Sequence, residues 1–296
     1  LLSGIIPKRG EDWSRELFME GRVTDGRVVV RGPLDRFPFD KAEGVIQVDF
    51  DVNNAIVKYS RRWPVATALD GRLKLRGRQV EFKIDRGFVS GANIAGAEVT
   101  VPDLFTRKRF VRISGTAQGP ASSASDIIMA SPLKLTKAAR IQNVDISGDI
   151  EVALDMNLAL YRGGPREVLG QALFRGNRIA ARQHNIVLEN VFGNVSFTRG
   201  DWYGEGLTAE FDGSAVGLVV NGGLDDPNYD SEFRMTGTSD AAELIKYLKR
   251  YASPLYAWLE SKGRIGSLNG ALPWKAVLTI PTPSDEGSTL PRSPFR

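Results

Sequence analysis

The residues able to do chemistry in this sequence are few, and they stand apart from one another. His184, the single histidine, lies in Ala181-Arg182-Gln183-His184-Asn185 between predicted strands. A catalytic triad would need a nucleophile and a carboxylate beside it, and a zinc site in a chain without cysteine could add only carboxylates. Nothing else in the sequence converges on His184, so it reads as a loop or strand-face residue. Ser131-Pro132-Leu133-Lys134 matches the Ser-x-x-Lys pattern of some acyl-transfer enzymes. Asp49-Phe50-Asp51 and Asp225-Asp226 could be cation ligands, but the first pair falls on the polar side of an alternating strand and the second precedes Pro227 in a predicted turn. Neither a P-loop nor a Gly-x-Gly-x-x-Gly pattern occurs. The sequence therefore predicts no catalytic residue, no metal and no cofactor.

The elements that would position such residues are mainly strands. Ile46, Val48, Phe50 and Val52 alternate with Gln47, Asp49 and Asp51, and Leu73 and Leu75 alternate with Arg72, Lys74 and Arg76. Ile150, Val152, Leu154, Met156, Leu158 and Leu160 give six apolar positions in strict alternation, and Leu272, Trp274, Ala276, Leu278 and Ile280 repeat the pattern. Helices are expected at Glu11–Glu20, closed by Gly21, and after Asp240, where Glu243 completes a capping box. There Leu244, Ile245, Leu248 and Tyr251 form a stripe opposite Lys246, Lys249 and Arg250. Ser253-Pro254 predicts a further helix with serine as its cap, and a weaker helical segment lies near Ser122–Ala130.

These elements repeat at an offset of 122 residues. Gly71, Gly91, Gly115 and Gly148 fall on Gly193, Gly213, Gly237 and Gly270, and Ser131-Pro132-Leu133 falls on Ser253-Pro254-Leu255. The second copy keeps Ser-Pro and replaces Lys134 by Tyr256, so a helix start explains both copies and acyl transfer explains neither. Such a period predicts stacked units, each burying its apolar surface on the next. The expected organisation is an opening helix with first strands at 1–39, repeat units at 40–160 and 161–280, and a linker at 281–296 that holds four prolines.

Bulk composition narrows the function classes. With 42% hydrophobic and 25% charged residues the 296-residue chain has a folded composition, and the net charge of +4 is the small difference between 39 basic and 35 acidic residues. That is too slight for a nucleic-acid partner, and no aromatic spacing of an RNA binder occurs. No run reaches the ~18 apolar residues of a membrane span. The first residue is Leu1, so the sequence reads as an excerpt of a longer polypeptide. The alternation admits two readings: a dry sandwich core, or a single long sheet curled so that its apolar face lines an open trough. The fold expected is mostly β with short helices, an elongated curled antiparallel sheet of tandem units.

Local words then carry a resemblance. Trp13-Ser-Arg-Glu-Leu17 with Gly21-Arg-Val23, Gly32-Pro-Leu34, Phe37-Pro38-Phe39 and Gly44, Tyr59 followed by Trp63-Pro64, Gly71-Arg-Leu73, and the later Gly270-Ala-Leu-Pro-Trp274 with Leu278-Thr-Ile-Pro281 are similar to the bacterial AsmA-like family, in particular its large YhdP branch. The resemblance implies a Gram-negative periplasmic protein, anchored in the inner membrane by a helix not present here, whose β units form a hydrophobic trough carrying phospholipid toward the outer membrane. Further envelope proteins are possible partners, and the family offers no catalytic residues to carry over. The groove is then assigned by facing: Ile46, Val48, Phe50, Val52, Leu73, Leu75, Ile150, Val152, Leu154, Met156, Leu158, Leu160, Leu272, Trp274 and Leu278. Two rivals stand beside it. One is a structural or assembly scaffold with a dry β core, as in TamB relatives. The other is a hydrolase on a repetitive β scaffold, which would need convergent carboxylates.

Overall fold

The computed structural model describes residues 18–39, 41, 43–58, 63–130, 144–181, 185–223 and 229–281. Alternating apolar and polar residues form strands β1 (Phe18–Arg31), β2 (Val45–Val57), β3 (Ala66–Arg76), β4 (Gln79–Val89), β5 (Ala92–Val101), β6 (Phe110–Pro120), β7 (Val144–Ser147), β8 (Asp149–Ala159), β9 (Arg166–Ala181), β10 (Ile186–Phe197), β11 (Trp202–Phe211), β12 (Ser214–Gly222), β13 (Tyr229–Asp240) and β14 (Ala271–Pro281). Helices α1 (Ala121–Met129), α2 (Ala241–Tyr251) and α3 (Ser253–Ser261) interrupt them. The strands make one antiparallel sheet whose order follows the chain from β1 to β6 and from β8 to β14, with β7 beside β9 off that path. Its ends are β1 and β14, so it is not closed into a barrel. One compact unit holds β1–β6, α1 and β8, and another holds β11–β14, α2 and α3.

The backbone repeats at the offset seen in the sequence. Asn54 (φ 49°) and Ala68 (φ 49°) occupy the left-handed region, and so do Gly176 (φ 84°) and Asn190 (φ 51°), each 122 residues on. Ser90-Gly91 and Asp212-Gly213 are likewise matched, with φ of 48° and 85° against 47° and 84°. Both pairs are two-residue hairpin loops, closing Val89 on Ala92 and Phe211 on Ser214. Positive φ at both central residues is the turn whose twist suits the flanking strands.

Asn54 and Ala68 also mark bulges. The β2–β3 register slips between Val52 and Ala55, and the β3–β4 register slips between Thr67 and Asp70. An extra residue there returns Ala55 and Val57 to the face that carries Val48 and Val52, where a regular strand would have turned them away. The Asn54 amide donates to Asp70 Oδ1 at 2.7 Å, and Asp70 also accepts from Arg86. The slip is thus fixed by a specific acceptor.

Helix α2 starts as expected: Asp240 is its N-cap, and its carboxylate accepts from the Glu243 amide at 2.9 Å. The stripe of Leu244, Ile245, Leu248 and Tyr251 is half-buried while Lys246, Lys249 and Arg250 are exposed. Two helical expectations change. Ala252, not Ser253, caps α3, and no side chain bonds there, because Ala252 already closes α2 and Ser253 is drawn into the first turn with Pro254. Phe18–Glu20, expected to end a helix, begin β1, where Gly21 (φ 146°) lies against Ala55 in the extended ladder. Residues 11–17 of that predicted helix and Ser131–Lys134 lie outside the described residues, as does the 282–296 part of the predicted linker.

Candidate functional site

Strand register places the apolar residues of β2–β6 and β8 opposite one another, pair after pair, on a single face. Phe50 faces Leu73, Leu73 faces Phe82, Phe82 faces Val99, Val99 faces Ile113 and Ile113 faces Met156. A second row runs through Val48, Leu75, Val80 and Val101. A third runs through Val52, Gly71, Ile84, Ala97, Gly115 and Leu154. Beyond the bulges, Ala55 faces Leu69, and Ile94 faces Ala117, which faces Val152. Six strands at ~4.8 Å spacing make each full row about 24 Å long, more than the ~15 Å half-thickness of a bilayer's hydrocarbon core.

Burial along this face is graded. Near the bulges it is dry, with Val52 3%, Ala55 0% and Leu69 1% exposed. Phe50, Leu73, Ile94, Ala97 and Val99 are only partly buried and lean on that cluster. On β1 the same face opens to solvent, since Val28 and Val23, opposite Val48 and Val52, are 51% and 55% exposed. An open depression of about 340 Å³ on β4–β6 is lined from both faces, by Lys83, Asp85, Glu98 and Ser114 beside Ile84, Ala97 and Gly115. At Gly71 a β-carbon would strike the Lys83 carbonyl, so glycine is required where β3 and β4 approach.

One margin of the face is plugged by aromatics. Phe39, 6% exposed, packs with Ile46, Val48 and Leu75, joined by Phe37, Val80 and Leu104. Its ring fills a cradle that β-carbons at Gly32 and Gly44 would obstruct. Phe37 meets Phe39 and Phe105 edge-on at 5.9 and 5.2 Å. The Phe37-Pro38-Phe39 word and its flanking glycines therefore form one packed device.

In the second unit, Leu207 faces Leu218, which faces Met235, which faces Ala276. Val220 faces Phe233, and Phe233 faces Leu278. Trp274 lies across Gly237, donates from Nε1 to Ser239 Oγ at 3.0 Å, and packs on Phe211 and Tyr247 at 6.4 and 5.9 Å. Tyr247 donates its hydroxyl to the Phe211 carbonyl at 3.3 Å, which ties α2 to this cluster.

The opposite face carries paired charge. Arg72 bonds Asp49 at 2.7 Å and lies 3.3 Å from Asp51, so the two carboxylates read as cation ligands hold a guanidinium. The hydrogen bond from Arg72 keeps the Asp49 carboxyl below its ordinary range. For Asp70 the Asn54 amide does the same, followed by Arg86. Among the described residues no three histidine or carboxylate groups assemble as a metal site. His184, Asp225 and Asp226 lie outside the described residues.

The sequence-expected face residues of the first unit, Ile46, Val48, Phe50, Val52, Leu73, Leu75, Ile150, Val152, Leu154, Met156 and Leu158, fall on one side by register. Leu272, Trp274 and Leu278 share one side of β14. Leu160 does not continue the row: β8 stops at Ala159, and Leu160 is 51% exposed past its end, its amide bonded to the Arg109 carbonyl. Sequence reading missed Val80, Phe82 and Ile84 on β4, which alternate in the primary sequence, and Val216, Leu218 and Val220 on β12, where Val219 blurs the alternation.

An antiparallel meander whose first unit has one graded apolar face and one ion-paired face defines a repetitive β-sheet protein, with no polar constellation on that apolar side among the described residues. The chain belongs to the YhdP family, whose model, described as YhdP protein, matches residues 4–290. It is similar to the intermembrane phospholipid transporter YhdP of Escherichia coli K12, 25% identical over 191 residues, which is 64% of this chain and 15% of that relative. No solved structure matches.

Proposed function

We propose that this chain is a segment of a bridge-like lipid-transfer protein that shelters phospholipid acyl chains between the inner and outer membranes and so supports the outer-membrane barrier. The observation that carries this is the set of apolar rows, two of which run across six strands. Support also comes from the E. coli relative, which is named as an intermembrane phospholipid transporter. Bulges bend the strands that carry them. A bend toward the apolar side would make the packed residues around Leu69 the crease of a trough and the half-buried ones around Leu73 its wall. Each methylene sheltered there would contribute about 0.8 kcal/mol. Transfer is passive and needs no cofactor, metal or catalytic residue. Head groups stay wet at the seam. The repeat units span 40–160 and 161–280, and the protein sits in the periplasm of a Gram-negative bacterium, held to the inner membrane by a helix outside this sequence.

The near-complete burial of Ala55 and Leu69 favours a second reading, an envelope assembly scaffold with a dry core. Leu154→Arg separates the two. In a trough, phospholipid co-purifying with the protein falls several-fold while the circular dichroism of the sheet is kept. In a dry core the charge has no partner and the fold is lost.

A further inference from the structure

The +4 net charge conceals an uneven distribution on the first unit. Its strands end at two margins, and at the margin beside the Phe39 plug four loops meet: 32–44, 77–78, 102–109 and 160–165. They are bonded to neighbouring strands or to one another, with the Gly77 amide on the Ile46 carbonyl, Leu104 on Arg78 at 2.8 Å and Leu160 on Arg109 at 2.9 Å. Cations recur along them: Arg36, Arg78, Arg107, Lys108, Arg109 and Arg162. The carboxylates in these loops are Asp35, Glu43 and Asp103 among the described residues. Glu43 accepts from the Lys41 amide, and Asp103 is occupied by Arg78 at 2.9 Å and by the Phe105 and Thr106 amides. Arg36, Arg107, Lys108 and Arg162 are exposed and have no carboxylate partner among the described residues. Aromatics sit among these cations, with Phe105 under Arg78 at 5.6 Å and Phe110 edge-on to Tyr161.

We infer that this margin is a headgroup rail: its arginines and lysine bind the phosphate of anionic phospholipids whose acyl chains lie on the adjoining apolar rows. The inference rests on the lipid-sheltering reading and adds a substrate preference to it. Guanidinium groups match phosphate geometry, and a positive stripe beside an apolar surface with interleaved aromatics fits a molecule that is anionic at one end and apolar at the other. An opposing cation stripe on the ion-paired sheet face would not do this, because no apolar row adjoins it.

The test incubates the full chain with vesicles of equal phosphatidylglycerol and phosphatidylethanolamine, re-isolates it, and weighs the retained lipids by mass spectrometry. The wild-type chain is expected to enrich phosphatidylglycerol roughly three- to five-fold at low salt, the preference fading at about 0.5 M salt. Combined Arg107→Gln, Lys108→Gln and Arg109→Gln should abolish the preference while total lipid is kept. Combined Arg27→Gln, Lys74→Gln and Arg112→Gln, an equal loss of charge on the other face, should leave it intact. Inorganic phosphate at millimolar concentration should not displace the lipid. If it does, the rail is a free-anion site and the inference fails. Lipid retained without preference, or preference lost equally in both triple variants, overturns the rail alone. Retention of no lipid by the wild-type chain overturns the rail together with the reading beneath it.

Discussion

Asp70, half-buried on the charged face, does more for this sheet than pair with Arg86, because it is the acceptor that holds the Asn54 bulge. Both donors stabilise its ionised form, the amide first, so its carboxyl titrates below the ordinary value in the folded chain. The sign follows from linkage. At a pH between the folded value and the unfolded value of about 3.9, only the unfolded state binds the proton, so the stability Asp70 contributes is present above that window and lost as pH falls through it. Asp70→Asn should therefore lower the melting temperature at pH 7 and flatten its decline below about pH 4, measured by thermal unfolding across pH. Asp49 titrates in the same sense through Arg72, so the flattening will be partial. Residue-level roles were legible where local geometry decides them, as for Asp240, and misread where a neighbour intervenes. Ser253 lost its capping role because the preceding helix claims Ala252.

At the scale of elements, period-two alternation located β2, β3, β8 and β14, and the Ser-Pro word located α3, since both patterns are written in adjacent residues. Bulges were not legible. Ala68 adopts φ 49° although alanine resists that region, and only its place between Thr67 and Asp70 in a three-strand ladder imposes it. Without the bulges, the alternation of β2 could not be followed past Val52, and so Ala55 and Leu69 escaped notice. The Phe37-Pro38-Phe39 word carried a resemblance before it had a physical meaning, which came only with the cradle between Gly32 and Gly44. Helix α2 has no fully buried residue and depends on its cap and on Tyr247 and Tyr251 against Phe211. Asp240→Ala should cost about 1 kcal/mol, read as a lowered midpoint in urea with the slope unchanged.

For the molecule as a whole, family membership and the apolar rows point the same way, whereas burial near the bulges keeps the dry-scaffold alternative in play. What separates them is whether lipid touches the wall of the first unit. A benzophenone amino acid placed at Leu73, half-buried in a six-strand row, and in a second protein at Lys74 on the ion-paired face, can be irradiated in cells and the adducts identified by mass spectrometry. Phospholipid adducts at Leu73 and none at Lys74 are the predicted result. Adducts confined to protein at Leu73, in a chain that remains folded, would contradict the account.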